Sequence, residues 1–350
     1  MSRKRTRILI LFLVCNMILT GCGGRMKPLK EFRTQYLDYF DTFTAVTVYA
    51  EDEETFQKYA DIIESSLKRY HERFDIYHNY EEISNVKMIN DCAGIAPVET
   101  EPEVMELLER SLEMYDQTNG KVNAAMGSVL GIWHECRTEA SADPEHARVP
   151  EMEELQKAAE HMDMHEVQLD PEKNTVYLPD AQMQLDVGAV AKGYTAQKIC
   201  DELREAGAVS VLLSIGGNVQ TIGRRGDGKP WRVGIQNPDT GSQQSYLHAV
   251  KLEDMALVTS GSYQRFYEAD GVRYHHIIDP DTLMPKRLYD GVTILCRDGA
   301  AADALSTAVF NMEPEEGQKL IESLEDTEAI WIFPDGSECY SSGFRQYVDD

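Results

Sequence analysis

Apolar side chains at Phe56, Tyr59, Ile63, Leu67, Tyr70 and Phe74 recur at steps of three and four, which lines one face of a helix and predicts an amphipathic helix over residues 55–74. Residues 102–117 repeat the pattern through Val104, Leu108, Leu112 and Tyr115, with Asn119-Gly120 as the stop. Stripes of this kind build a core far more often than a cofactor site. Residues 139–150 mix Ser, Ala, Asp, Pro and charges without an apolar period, which predicts a loop crossing between lobes. The pattern then gives a helix at 152–162, short strands at 167–169, 175–178 and 182–185, a helix at 189–206 and a buried strand at 209–215. Strands at 231–236, 248–252, 292–296 and 329–333 follow, with helices at 303–311 and 314–324. Helices and short strands mix without strict βαβ alternation, and no segment repeats. The expected class is therefore α+β.

Composition adds a compartment. Four cations, Arg3, Lys4, Arg5 and Arg7, precede an apolar run at 8–19 that is too short to span a bilayer, the form of a signal peptide over 1–21. Leu19-Thr20-Gly21-Cys22 resembles a bacterial lipobox, which implies that Cys22 carries a palmitate-type lipid and becomes the first mature residue, on the outer face of the cell membrane. An uncleaved anchor with an incidental cysteine is the other reading. Residues 22–37 read as anchor and tether, 38–335 as the functional domain and 336–350 as a tail. Removing the signal takes four basic and no acidic residues, leaving 30 against 60 and a formal charge of −30. Such a surface repels nucleic acid and anionic headgroups, so the lipid rather than a basic patch must hold the membrane.

Cys92, Cys136, Cys200, Cys296 and Cys339 are an odd set without paired spacing, which indicates neither a zinc site nor a disulfide framework. With 42% apolar residues in 350 there is ample material for a core.

Candidate chemistry clusters in three stretches. In AADALSTA, residues 301–308, Asp303 and Thr307 stand four apart, so a helix puts carboxylate and hydroxyl on one face. Two hard oxygens there can hold Mg²⁺ beside a phosphate ester, at a near-surface helix position that should tolerate alanine; equally, Asp303 can simply cap a helix start. DVGAVAKGY, residues 186–194, sets Asp186, a small-residue run and Lys192 at a turn into a helix, where the Ala189 carbonyl could complete a metal shell. Lys192 could face a pyrophosphate or stay solvated. HHIIDP, residues 275–280, offers His275 and His276 as bases or structural rings, with Asp279 shaping the turn or orienting His276. Gly216-Gly217-Asn218 and Thr259-Ser260-Gly261 could donate backbone amides or simply turn the chain.

Together with RFDIYHNYEEISNVKMIN from Arg73, TNGKVNAAMGSVLGIW from Thr118, LLSIGGNVQTIG from Leu212 and VTSGSY from Val258, these stretches make seven collinear segments that resemble the ApbE family of FAD:protein FMN transferases, over about residues 38–333. The resemblance implies an α+β fold of mixed helices and largely antiparallel sheets, two packed lobes with the flavin site between them, FAD as substrate and Mg²⁺ as cofactor. It implies metal ligands at Ala189, Asp303 and Thr307. It implies flavin contacts at Phe40, Tyr77, Lys121, Val122, Asn123, Asp186, Lys192 and Ile277, and it raises Gly216, Gly217 and Ser260 as backbone donors. Phe40-Asp41-Thr42 stands where many relatives have Met-Gly-Thr, Asn123 where many have Asp, and Ser306 where some have a further metal-binding Asp.

The implied reaction is attack of a threonine or serine hydroxyl of an acceptor flavoprotein on the FMN phosphorus, with AMP leaving. His276 is the candidate base, with a rate rising near an imidazole value of about 6.5, and Asp303 is the second catalytic candidate. An acceptor with an FMN-binding domain, of the kind found in membrane redox pumps, is what the family suggests. A Mg²⁺-dependent FAD pyrophosphatase and a non-catalytic FAD-binding lipoprotein are the alternatives.

Overall fold

The computed structural model describes residues 28–349. Strand β1 (Lys30–Tyr36) pairs along its whole length with β2 (Thr44–Ala50). Helix α1 (Glu53–Phe74) follows, capped by Asp52, whose carboxylate accepts from the Thr55 amide. Next come α2 (Val86–Asp91), β3 (Val98–Glu99), α3 (Pro102–Gln117), α4 (Gly127–Ala142), α5 (Met152–Ala159), β4 (Gln168–Asp170) and β5 (Thr175–Tyr177). The chain continues through α6 (Ala191–Glu205), β6 (Val211–Ile215), β7 (Asn218–Ile222), β8 (Trp231–Gln236), β9 (Tyr246–Leu252), β10 (Ala256–Gly261), β11 (Phe266–Ala269) and β12 (Val272–His275). It closes with β13 (Gly291–Cys296), α7 (Gly299–Phe310), α8 (Pro314–Glu322), β14 (Glu328–Ile332) and β15 (Glu338–Tyr340).

The central sheet runs β1-β2-β6-β7-β10-β13-β14-β15 with antiparallel pairing at each step. Its main core is shared with α1, α3, α6 and α7; Ile63, Leu67 and Leu108 are fully buried there, each worth about 1.5–3 kcal/mol of transfer free energy. A second core around Trp231, Ile235 and Phe344 packs the β8–β9 hairpin and the C-terminal turn. A third gathers α4, α5 and the β11–β12 ribbon around Trp133, Tyr267 and Leu283. The fold is α+β, as the pattern predicted.

Several expectations give way. Residues 30–36 are a sheet strand and not tether, because Phe32 stacks on Phe56 at 4.9 Å. Residues 336–350 are not a tail: β15 joins the sheet edge and Phe344 is fully buried. Helix α4 runs on to Ala142 and Pro144–His146 form a 3₁₀ turn, so of the expected 139–150 loop only residue 143 and residues 147–150 are irregular. Residues 182–185 form no strand; the Asn90 side chain serves both the amide and the carbonyl of Leu185, at 2.7 and 2.9 Å, and so replaces a strand partner. Helix α7 begins at Gly299 because Asp298 accepts from the amides of Ala300 and Ala301, which puts Asp303 inside the helix rather than at its start. Strands β1, β2, β3, β7, β10, β11, β12 and β15 and helices α2 and α4 were not anticipated. The five cysteines among the described residues are free, and three of them are buried.

Candidate active site

A cavity of about 1120 Å³ lies between the α6–α7–sheet layer and the group formed by α4 and the β11–β12 ribbon. Phe40, Tyr77, Lys121, Val122, Asn123, Asp186, Ala189, Lys192, Gly216, Gly217, Ser260, His276, Ile277, Asp303 and Thr307 all line it. Cys22 lies outside the described residues.

Helices α6 and α7 meet closely at this wall. Asp303 is only 4% exposed, and its Oδ2 accepts the Gly193 amide at 2.8 Å with Lys192 Nζ 3.8 Å away. Burial raises its pKa above the carboxylate range, with Lys192 opposing. Thr307 leaves the Asp303 carbonyl to Ser306 Oγ; its own Oγ1 has Ser260 Oγ at 3.5 Å and faces the cavity. A buried carboxylate with Lys192 at 3.8 Å, a hydroxyl one turn further along α7 and the Ala189 loop suit a hard cation whose remaining ligands come from a phosphate. No group of three His, Cys, Asp or Glu residues among the described residues could hold a metal by itself. Asp186 closes the loop by accepting the Gly188 amide at 2.8 Å, and burial raises its pKa as well. Lys192 also donates to the Gly188 carbonyl at 2.9 Å.

The two histidines separate cleanly. His275 is buried, donates from Nε2 to the Lys286 carbonyl at 2.6 Å and accepts the Ile277 amide on Nδ1 at 3.2 Å, so neither nitrogen is available. Burial pushes its pKa down to about 4. His276 meets the Arg265 carbonyl through Nδ1 at 3.2 Å, which places the proton on Nδ1 and leaves Nε2 its lone pair. Burial first, then Arg265, His275 and Lys192, push His276 down to about 3, well below the expected 6.5. Asp279 does not orient it. That carboxylate is 1% exposed and lies 3.1 Å from Lys121 Nζ and 3.5 Å from Lys286 Nζ.

Other candidates prove to be partly committed. The Lys121 ammonium is spent on Asp279 and Asp281, and the Asn123 amide on the Met162 carbonyl and the Ala125 amide, both at 2.8 Å. Their backbone segment still lines the cavity. Phe40 and Asp41 both adopt left-handed backbone, φ 58° and 48°, a conformation that favours glycine. The Phe40 amide donates to His71 Nδ1 at 3.3 Å, and the Asp41 carbonyl accepts Arg265 Nη2 at 3.2 Å. Gly216 and Gly217 have φ 56° and 92°, and a Cβ on Gly216 would lie 2.5 Å from Thr42 Oγ1. The Ser260 hydroxyl pairs with Ser306 at 2.8 Å.

Sequence reasoning missed four wall residues. Asp75 accepts from the Tyr77 amide at 2.6 Å and the Tyr80 hydroxyl at 2.7 Å, and so sets the loop that presents Tyr77. His134 faces the Tyr77 ring at 5.1 Å. Arg137 and Arg265 bring positive charge. Asp270-Gly271, with φ 51° and 73°, is a hairpin signal between alternating residues and could have set Arg265 opposite His276.

The sequence matches the ApbE family model over residues 40–331. It is 33% identical to the FAD:protein FMN transferase of Treponema pallidum (strain Nichols) across 96% of this chain and 94% of that protein. It is 30% identical to a protein of the same name from Klebsiella pneumoniae (strain 342) over 74% and 80%. In three dimensions it resembles the ApbE protein of Thermotoga maritima with a TM-score of 0.80 and 26% identity, covering 92% of this chain and all of that one. The fold is also that of the Vibrio cholerae flavin transferase ApbE, TM-score 0.76 at 24% identity, covering 91% and 100%.

Proposed function

The chain belongs to the ApbE family, and on that premise we propose that it transfers the FMN half of FAD to a threonine or serine hydroxyl of an acceptor flavoprotein, releasing AMP. The observation that carries this reading is that the available Nε2 of His276 and the Asp303–Thr307 oxygens border one cavity of about 1120 Å³, above the usual size of a small-ligand pocket. In the reaction the acceptor oxygen bonds to the FMN phosphorus, and the bond from that phosphorus to the bridging oxygen of AMP breaks. AMP departs with the electron pair, and the hydroxyl proton passes to His276 Nε2 and then to solvent.

The chain's own residues prepare that step. The Arg265 carbonyl fixes the His276 tautomer, and burial keeps the ring neutral. Asp303, Thr307 and the Ala189 carbonyl would hold Mg²⁺, which when bound would offset the charge of the pyrophosphate. Tyr77 and Phe40 supply apolar faces for the isoalloxazine, and Lys192 adds charge at the Asp303 end.

We further propose that the acceptor is a flavoprotein with an FMN-binding domain of the redox-pump type, and that Cys22 tethers the enzyme to the outer face of the cell membrane. FAD and Mg²⁺ alone should yield AMP slowly; adding such an acceptor should give a covalent fluorescent band with stoichiometric AMP. Changing the acceptor threonine to valine should abolish the band. Rapid release of AMP and free FMN without acceptor, and no band with any candidate, would make the protein a hydrolase instead.

A further inference from the structure

Both lysines on the cavity wall are committed to carboxylates: Lys121 to Asp279 and Asp281 at 3.1 and 2.7 Å, and Lys192 to Asp303 at 3.8 Å. Arg137 and Arg265 are not. Arg137 donates to His134 Nδ1 at 2.9 Å and Arg265 to the Asp41 carbonyl at 3.2 Å, and neither forms an ion pair among the described residues. They stand near enough to repel each other; burial and then Arg265 hold the Arg137 pKa below its ordinary range. In a chain with 60 acidic residues to 34 basic, two neighbouring guanidiniums that hold no ion pair among the described residues, with only Asp186 acting on Arg137 from a distance, leave positive charge that an anionic ligand can meet.

The ribbon register sets Arg265 beside His276. Phe266 pairs with His275, so Arg265 stands opposite His276, and directly opposed residues share a face. The Arg265 carbonyl holds both the amide and Nδ1 of His276, at 3.1 and 3.2 Å. Arg265 therefore borders the space into which His276 Nε2 opens. A planar fork suits phosphate oxygens there better than an ammonium would.

We propose that Arg265, with Arg137 beside it, clamps the adenylate phosphate of the dinucleotide and takes up the charge that this phosphate gains as AMP leaves. The inference rests on the transfer reading above: as the phosphorus–oxygen bond breaks, the bridging oxygen keeps the electron pair, and the guanidinium meets that charge.

The test is binding of AMP, adenosine and FAD to the detergent-solubilised full chain, by calorimetry and flavin fluorescence, in wild type, Arg265→Gln, Arg265→Lys and Arg137→Gln, with thermal melting to confirm folding. AMP should bind roughly ten- to hundredfold more weakly in Arg265→Gln while adenosine is unchanged, with part of the loss restored by Arg265→Lys. Turnover should fall more in kcat than KM for FAD rises. Equal AMP affinity in wild type and variants would overturn the clamp. A rise in KM for the acceptor alone, with AMP and FAD binding intact, would overturn it in favour of acceptor docking. A wild-type protein that binds neither FAD nor AMP would sink the transfer reading along with the clamp, which distinguishes the two failures.

Discussion

The Gly193 amide donates to Asp303 Oδ2 at 2.8 Å, tying the first turn of α6 to the middle of α7 across 110 residues of sequence. Only glycine permits this approach: a Cβ at 193 would lie 2.1 Å from the Gly299 carbonyl oxygen and 2.6 Å from Asp303 Cβ. Gly193→Ala should therefore force the helices apart at a cost of about 1–3 kcal/mol. Urea unfolding of the variant measures it, and an unchanged midpoint would show that the crossing relaxes freely.

Asp303 was expected to tolerate alanine as a near-surface position; at 4% exposure with an amide to satisfy, it should not. Asp303→Ala should lose about 1–3 kcal/mol by stranding that amide. Asp303→Asn keeps an acceptor for the amide and removes the charge. It should retain most of the stability yet lose Mg²⁺-dependent turnover, and full activity in saturating FAD and Mg²⁺ would refute the metal role.

His276→Ala should lower kcat by roughly 10²–10⁴ with a modest change in FAD affinity. Because burial and Arg265 hold the ring near 3, its base form is already complete at neutral pH. The kcat/KM profile of the wild type should then be level between about pH 5 and 8, and a limb near 6.5 that vanishes in the variant would contradict the structure.

His275 gives a stability prediction. Its folded pKa of about 4 lies below the unfolded value of about 6.5, so in that window the unfolded chain binds the proton and the native one does not. The contribution is full above 6.5 and is lost as pH falls toward 4. The raised pKa values of Asp186 and Asp303 act in the opposite sense, so the comparison must be by difference. The unfolding midpoint of His275→Gln should drop less than that of the wild type between pH 7 and 5; parallel curves would rule the effect out.

For the anchor, Cys22→Ala should release active enzyme from membranes or leave an unprocessed precursor. Labelled fatty acid still incorporated into the variant would exclude Cys22 as the lipid site.

Local signals in the sequence determined a good deal. Helix α3 occupies Pro102–Gln117 as the apolar steps predicted, and α1 differs from its predicted span by two residues at the start, because a 3.6-residue period and its caps are written in neighbouring positions. The site segments were also legible, since small-residue runs and paired hydroxyl and carboxylate groups stand out in any sequence. Tertiary structure alone decided what those groups do. Helix α7 was expected at 303–311, but it is buried almost all round, so no polar face marks its start at Gly299. Lys121 meets Asp279 across 158 residues, and Arg204 meets Asp254 across 50. Contacts of that range are set by pairing and packing between distant segments, and they settle which histidine keeps a lone pair, which lysines are spent and which arginines are left for a ligand.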